Sequence, residues 1–228
     1  MAERFGPDAK ARQDMIGAFV RNGIPQRQVE AEILIQVMAG SDTTASAIRS
    51  TFLRLLTSPR ALARLRAEID AAVADGRAST PIQQSEAREL PYLQAVIKEG
   101  LRINRPFLGQ VSKAVPAGGD TYNGMYLPAG TCIGHNTFSL CRQPVFGQDV
   151  DVFRPERWLE AEPDAKREME KTLDLVFGYG RWGCLGKSVA QLEMDKVYFE
   201  VRRYSADCPC AHVLTAFCSF FDSLTLTS

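Results

Sequence analysis

Phe177-Gly178-Tyr179-Gly180-Arg181-Trp182-Gly183-Cys184-Leu185-Gly186 packs four glycines and one cysteine into ten residues, directly ahead of a helical pattern that runs from Lys187 to about Tyr204. Glycine at that density permits positive backbone dihedrals and lets a flat ligand lie against the chain, because no Cβ stands in the way. A helix beginning just after Cys184 turns its free N–H groups and the positive end of its dipole toward the sulfur, which favours thiolate over thiol. A thiolate can ligate iron. Taken alone, the loop fits equally a turn into a helix with an inert buried cysteine, and the rest of the chain has to separate the two.

Upstream, Pro25 is placed to open a helix, and apolar or small residues recur at Val29, Ile33, Val37, Gly40, Thr44, Ile48, Phe52 and Leu55 until Ser58-Pro59 stops the pattern. The spacing predicts one helix over about 25–57, roughly 50 Å long at about 1.5 Å per residue. Its middle, Ala39-Gly40-Ser41-Asp42-Thr43-Thr44, gathers poor helix formers and forfeits about 2–3 kcal/mol of propensity. One account is a kink with Thr and Ser hydroxyls bonded back to carbonyls. The other is a helix that opens locally over a bound ligand, Gly40 giving clearance and Asp42 and Thr43 aimed at it.

Other helices are expected at Met15–Val20, closed by Asn22-Gly23, at 59–75, and at about 89–103, ended by Asn104-Arg105-Pro106. Glu99 and Arg102 in the last of these share a face. By themselves they read as a solvated ion pair worth under about 1 kcal/mol. Val111 to Gly134 carries strand-like runs broken at Pro116-Ala117-Gly118-Gly119 and Pro128-Ala129-Gly130, the pattern of a small antiparallel sheet. Phe146-Gly147-Gln148-Asp149 turns the chain toward Pro155.

The 228 residues, 45% apolar, suffice for one sizeable core. Lys+Arg and Asp+Glu balance at 27 each, so charge gives no general case for binding nucleic acid or an acidic membrane surface. Six cysteines at 132, 141, 184, 208, 210 and 218 show no disulfide framework, which implies a reducing environment. Cys208, Cys210, His212 and Cys218 have ligand chemistry, but their spacing matches no common zinc knuckle. The first residues lack a signal-peptide core, and no apolar run spans a bilayer.

In these pieces the chain resembles the cytochrome P450 family. Phe177, Gly178, Gly180, Cys184 and Gly186 fall in register with its haem-binding loop, and Ala39-Gly40-Ser41-Asp42-Thr43-Thr44 matches its distal helix. Glu99-x-x-Arg102 matches its Glu-x-x-Arg signature, and Arg157 in Pro155-Glu156-Arg157 supplies the third member of that network. One position departs: the arginine that meets a haem propionate in the family is replaced by Trp182, with Arg181 one residue early.

The resemblance implies a mainly α fold with a small β component: the C-terminal, haem-binding half of a P450, over 1–205, followed by an atypical tail over 206–228. It implies that Cys184 ligates the iron of haem b (iron protoporphyrin IX), that Phe177, Gly178, Gly180, Arg181, Gly186, Ala39 and Gly40 border the haem, and that Asp42 and Thr43 are the catalytic acid–alcohol pair for proton delivery. Glu99, Arg102 and Arg157 would form a buried structural network. The implied activity is monooxygenation of a small organic substrate with electrons from NADPH through NADPH–cytochrome P450 reductase. The style of the motifs is eukaryotic, of a fungal, secondary-metabolism type, whose full-length members carry an N-terminal half and an endoplasmic reticulum membrane anchor. A haem-binding or inactive fragment lacking that half is the rival expectation.

Overall fold

The structure is a computed structural model, and it describes residues 5, 12–107 and 109–204. The proposed tail, with Cys208, Cys210, His212 and Cys218, lies outside the described residues. Two compact units divide the chain between Ala45 and Ser46.

In the first unit, α1 spans Met15–Arg21, its N-terminus capped by the Asp14 carboxylate, which accepts from the Gly17 N–H at 2.8 Å. Asn22 closes it, and Gly23 turns the chain at φ +70°. α2 begins beyond Pro25 and spans Gln26–Leu56, crossing into the second unit. The expected local opening at 39–44 is not found: helical structure continues through all six residues. The Thr43 hydroxyl instead donates to the Ala39 carbonyl at 2.7 Å. Such a bond is added to the backbone ladder without replacing it, so the poor propensity of this block is absorbed by its flanking turns.

The second unit is built around α5, Pro91–Ile103, a helix buried on nearly every side, with Tyr92, Leu93, Ala95, Val96, Ile97, Glu99, Gly100, Leu101, Arg102 and Ile103 all inaccessible. Pro91 starts it, since its missing N–H is one of the unpaired groups of a first turn. The cap comes from elsewhere. Glu68 of α3 (Pro59–Ala74) accepts from the N–H groups of Tyr92 and Leu93 at 2.9 and 2.8 Å, placing a negative charge at the positive end of α5. Gly100 lets α2 approach closely, because a Cβ there would stand 2.0 Å from the Thr51 hydroxyl.

α3 packs one stripe, Ala61, Leu65, Ile69 and Ala72, into the core. α9, Lys187–Tyr204, contributes Met194, Tyr198 and Phe199. A five-residue helix, α4 (Gln84–Arg88), lies between α3 and α5 in the chain, with a capping box between Gln83 and Glu86. Asp195 of α9 accepts from Gln84 and Gln94, tying the three helices together.

The β component is two separate antiparallel pairs. β1 (Gln110–Ala114) pairs with β4 (Cys132–Asn136) in the register Gln110↔Asn136 to Ala114↔Cys132. β2 (Asp120–Tyr122) and β3 (Met125–Leu127) form a hairpin turned by Asn123 and Gly124, both at positive φ. The short helices α6 (Thr137–Leu140) and α7 (Arg157–Glu160) lead to α8 (Pro163–Asp174) and then to the glycine-rich loop.

Candidate functional site

The loop is two 3₁₀ turns, Leu175–Phe177 and Gly180–Trp182, joined by Gly178. Gly178 has φ +75° and ψ −174°, a combination that essentially only glycine adopts. A Cβ there would also come within 2.8 Å of the Trp182 carbonyl oxygen. The Cys184 N–H donates back to the Phe177 carbonyl at 2.6 Å, which closes the loop. Gly178→Ala should therefore lower unfolding free energy by about 1–3 kcal/mol and disorder the turn that presents Cys184; denaturant titration measures it.

Cys184 is exposed. Beyond it, Gly186 leaves the sulfur uncrowded, since a Cβ there would lie 3.9 Å from Sγ. α9 then begins, and Leu185 and Val189 are left 80% and 57% exposed. The Arg181 guanidinium lies over the Trp182 ring, 4.7 Å from its centroid. A groove of about 700 Å³ runs between α5, α8 and α9, but Cys184 is not part of its lining.

The second unit also holds a buried charge network. Glu99, 0% exposed, accepts five hydrogen bonds: from Arg102 Nη2 (2.7 Å) and Nε (2.9 Å), Arg157 Nε (3.1 Å), Trp158 Nε1 (3.0 Å) and the Arg154 N–H (2.9 Å). Arg102 further donates to the carbonyls of Cys141, Val150 and Val152. Arg157 bonds the carbonyls of Phe146, Asp149 and Val152. Two buried guanidiniums on one carboxylate leave an excess positive charge.

Asp149, which the sequence reading took only as part of a turn, offsets that charge by accepting from Arg157 at 2.8 Å and from Arg154 at 2.6 Å. Gly147, at φ +92° and ψ −170°, makes the reversal that brings it there. Trp158 was likewise missed as a member, although it directly follows Arg157.

Burial pushes the Asp149 carboxyl up, but hydrogen bonds from Arg154 and Arg157 outweigh it and hold the group below its ordinary 3.8. Because the folded value is the lower one, Asp149 contributes stability present above the unfolded value and lost as pH falls through the folded one. Asp149→Asn should thus be less stable than its parent at neutral pH, the difference closing below about pH 4; urea midpoints across pH show it.

Ala39, Gly40, Asp42 and Thr43 are exposed on the part of α2 that belongs to the first unit, and a Cβ at Gly40 would meet open space. The structure brings Glu99, Arg102 and Arg157 together within the second unit.

The model of the cytochrome P450 family matches residues 4–208. Similar proteins include cytochrome P450 monooxygenase ABA1 of Pyricularia oryzae, 53% identical over 205 residues, covering 89% of this chain and 40% of that protein. Cytochrome P450 monooxygenase aba1 of Botryotinia fuckeliana is 48% identical over 204 residues, with the same two shares. Cytochrome P450 monooxygenase abl1 of Leptosphaeria maculans is 40% identical over 198 residues, 86% of this chain and 35% of that one. The chain thus spans 35–40% of the length of these curated relatives. No helix among the described residues is long and apolar enough to cross a membrane. The glycine-shaped cysteine loop, the buried Glu99 network and these matches have one reading: the chain belongs to the cytochrome P450 family.

Proposed function

We propose that this chain forms the haem-binding half of a thiolate-ligated monooxygenase, with the Cys184 sulfur as axial ligand of iron protoporphyrin IX. The observation that carries the reading is the loop itself: one exposed thiol on a turn that only glycine can make, beside exposed apolar side chains. Among the described residues no group of three or more His, Cys, Asp or Glu side chains is placed to hold a bare metal ion. A single sulfur suits an iron that arrives with four nitrogen donors of its own, and Leu185, Val189 and the open side of Gly186 suit a flat apolar macrocycle.

When bound, the haem supplies the oxygen chemistry, one atom of O₂ entering a small organic substrate and the other leaving as water, with electrons from NADPH through NADPH–cytochrome P450 reductase. The chain's own part is to hold the ligand sulfur and to move protons. Cys184 is fixed by its backbone N–H on Phe177, just ahead of α9, and its sulfur would donate electron density to the iron. Phe177, Gly178, Gly180, Arg181, Gly186, Ala39 and Gly40 are the proposed border of the haem.

Asp42 and Thr43 are the proposed proton pair. A hydroxyl has one proton to donate, and that of Thr43 is given to Ala39, so its oxygen is free to accept from a water in the proposed relay with Asp42. In the full-length relatives this reading places the enzyme at the endoplasmic reticulum membrane.

The test is the carbon monoxide difference spectrum of the reduced, haem-reconstituted chain. The red-shifted Soret band of thiolate ligation is expected. Haem uptake without that band would overturn Cys184 as the ligand, and no uptake would favour an inactive fragment.

A further inference from the structure

Arg105 is the buried charge that nothing above accounts for. It stands in the turn Asn104-Arg105-Pro106 that ends α5, and it is 5% exposed. Glu99 takes the charges of Arg102 and Arg157, and Asp149 takes Arg157 again, but among the described residues no carboxylate lies within ion-pair distance of Arg105. Its Nε–H is buried with no acceptor, and Nη1 reaches the Arg102 carbonyl at a long 3.4 Å. Burial pushes the pKa of Arg105 down, with Arg142 and Arg102 adding to that effect and Cys141 opposing it. A guanidinium nevertheless keeps its proton in a protein, and a buried charge without a partner is strongly unfavourable.

The groups around it are donors. The Phe138 ring of α6 carries the Arg105 guanidinium, Cζ 4.6 Å from the centroid, and also that of Arg142 at 3.7 Å, so the two cations are no farther apart than one shared ring allows. Arg142 gives its Nε–H to Asp151 at 2.7 Å, and its terminal N–H groups meet no acceptor among the described residues. Cys141 is fully buried beside Arg105, but burial pushes its thiol up more than Arg105, Arg102 and Arg142 pull it down. At neutral pH it therefore presents an S–H, one more donor. A site of donors without acceptors suits an anion better than a water, which has two protons of its own to place.

We propose that Arg105, with Arg142 and the Cys141 thiol, holds a small monovalent anion, a halide of the size of chloride, as the counter-ion of this buried charge. A single surplus charge calls for a single negative one. The groove of about 700 Å³ has none of these three residues in its lining, so the ligand is of the size of one atom and not of a metabolite. Bound there, the anion offsets the repulsion between Arg105 and Arg102 and so supports the Glu99 network from outside it. The site does not depend on the haem reading.

The test is urea unfolding of the 228-residue chain at a fixed ionic strength of about 0.15 M, with sodium chloride exchanged for sodium gluconate, whose anion is too large for the site. Chloride binds the folded chain, so it should lower the unfolding equilibrium constant about 10-fold, the value for a free concentration about ten times Kd. Arg105→Gln, which removes the charge and keeps an amide donor, should unfold with the same constant in both salts. Arg142→Gln should retain a chloride effect of about 3-fold. Arg167→Gln, in an exposed pair on α8, should respond to chloride as the parent does. Binding is also read on the parent itself from the chloride NMR linewidth, which should show saturable excess broadening that bromide displaces; this holds even where a variant fails to fold. Equal unfolding constants of the parent in chloride and gluconate, as an ordered water on Nε would give, overturn the site. So does a chloride effect that survives Arg105→Gln in full, or broadening that does not saturate.

Discussion

Arg102→Ala should prevent recovery of a folded, haem-loaded chain at temperatures where the parent is stable. Arg102 is 1% exposed and supplies two of the five donors on Glu99, which is 0% exposed. Its removal takes away two of the buried carboxylate's five hydrogen bonds and leaves the Cys141, Val150 and Val152 carbonyls short of a donor. Breaking a buried pair in this way costs about 3–5 kcal/mol, a large part of a total of about 5–15 kcal/mol.

Arg102→Lys keeps the charge but not the planar fork that reaches Glu99 and three carbonyls at once, so it should recover only part of the loss. The internal control is Arg167, paired with Asp164 at the same i, i+3 spacing but with both side chains well exposed. Arg167→Ala should shift unfolding free energy by less than about 0.5 kcal/mol. Denaturant midpoints of the three variants decide it; a normally stable, haem-loaded Arg102→Ala protein would refute the structural role.

That contrast shows how far the sequence was legible. Glu99/Arg102 and Asp164/Arg167 are alike as text, and only the packing of α5 against α2, α3, α7 and α9 makes the first pair a buried hub. Elements set by local chemistry were readable. Pro59 and Pro91 each stand at the first turn of the helix they open, and Gly23 closes the turn that follows α1. The cysteine loop was readable too, because Gly178 answers a backbone demand that lies within the loop itself.

What escaped was either weakly patterned or non-local. α8 buries just Met169 and Leu173, so its polar sequence Pro-Asp-Ala-Lys-Arg-Glu carried little periodic signal. The Asn123-Gly124 turn was a readable hairpin signal hidden between strands of three residues each. Lys113 beside Trp182, Glu68 at the start of α5 and Asp149 beside Arg157 join residues whose proximity no sequence spacing encodes. At 39–44 poor propensity left two accounts, hydroxyl back-bonding at a kink or an opening over a ligand; a helix of 31 residues carries the block without a break, with Thr43 bonded back to Ala39.

Cys184→Ser should abolish the red-shifted Soret band while leaving the fold intact. A serine oxygen is a poorer donor to haem iron than sulfur, so the electronic signature of thiolate ligation vanishes. Stability should change by less than about 0.5 kcal/mol, because the side chain is exposed and the bond that closes the loop runs from the backbone N–H to Phe177. The two other described cysteines separate ligation from general thiol effects. Cys132 is exposed on β4, and Cys132→Ser should change neither spectrum nor stability. Cys141 is buried beside Arg105; burial pushes its thiol up despite that arginine and Arg102. Cys141→Ser should therefore lower stability, through a hydroxyl in a site shaped for sulfur, and keep the band. Survival of the band in Cys184→Ser, or its loss in Cys132→Ser, would move the iron ligand away from the loop and take the proposed oxygen chemistry with it.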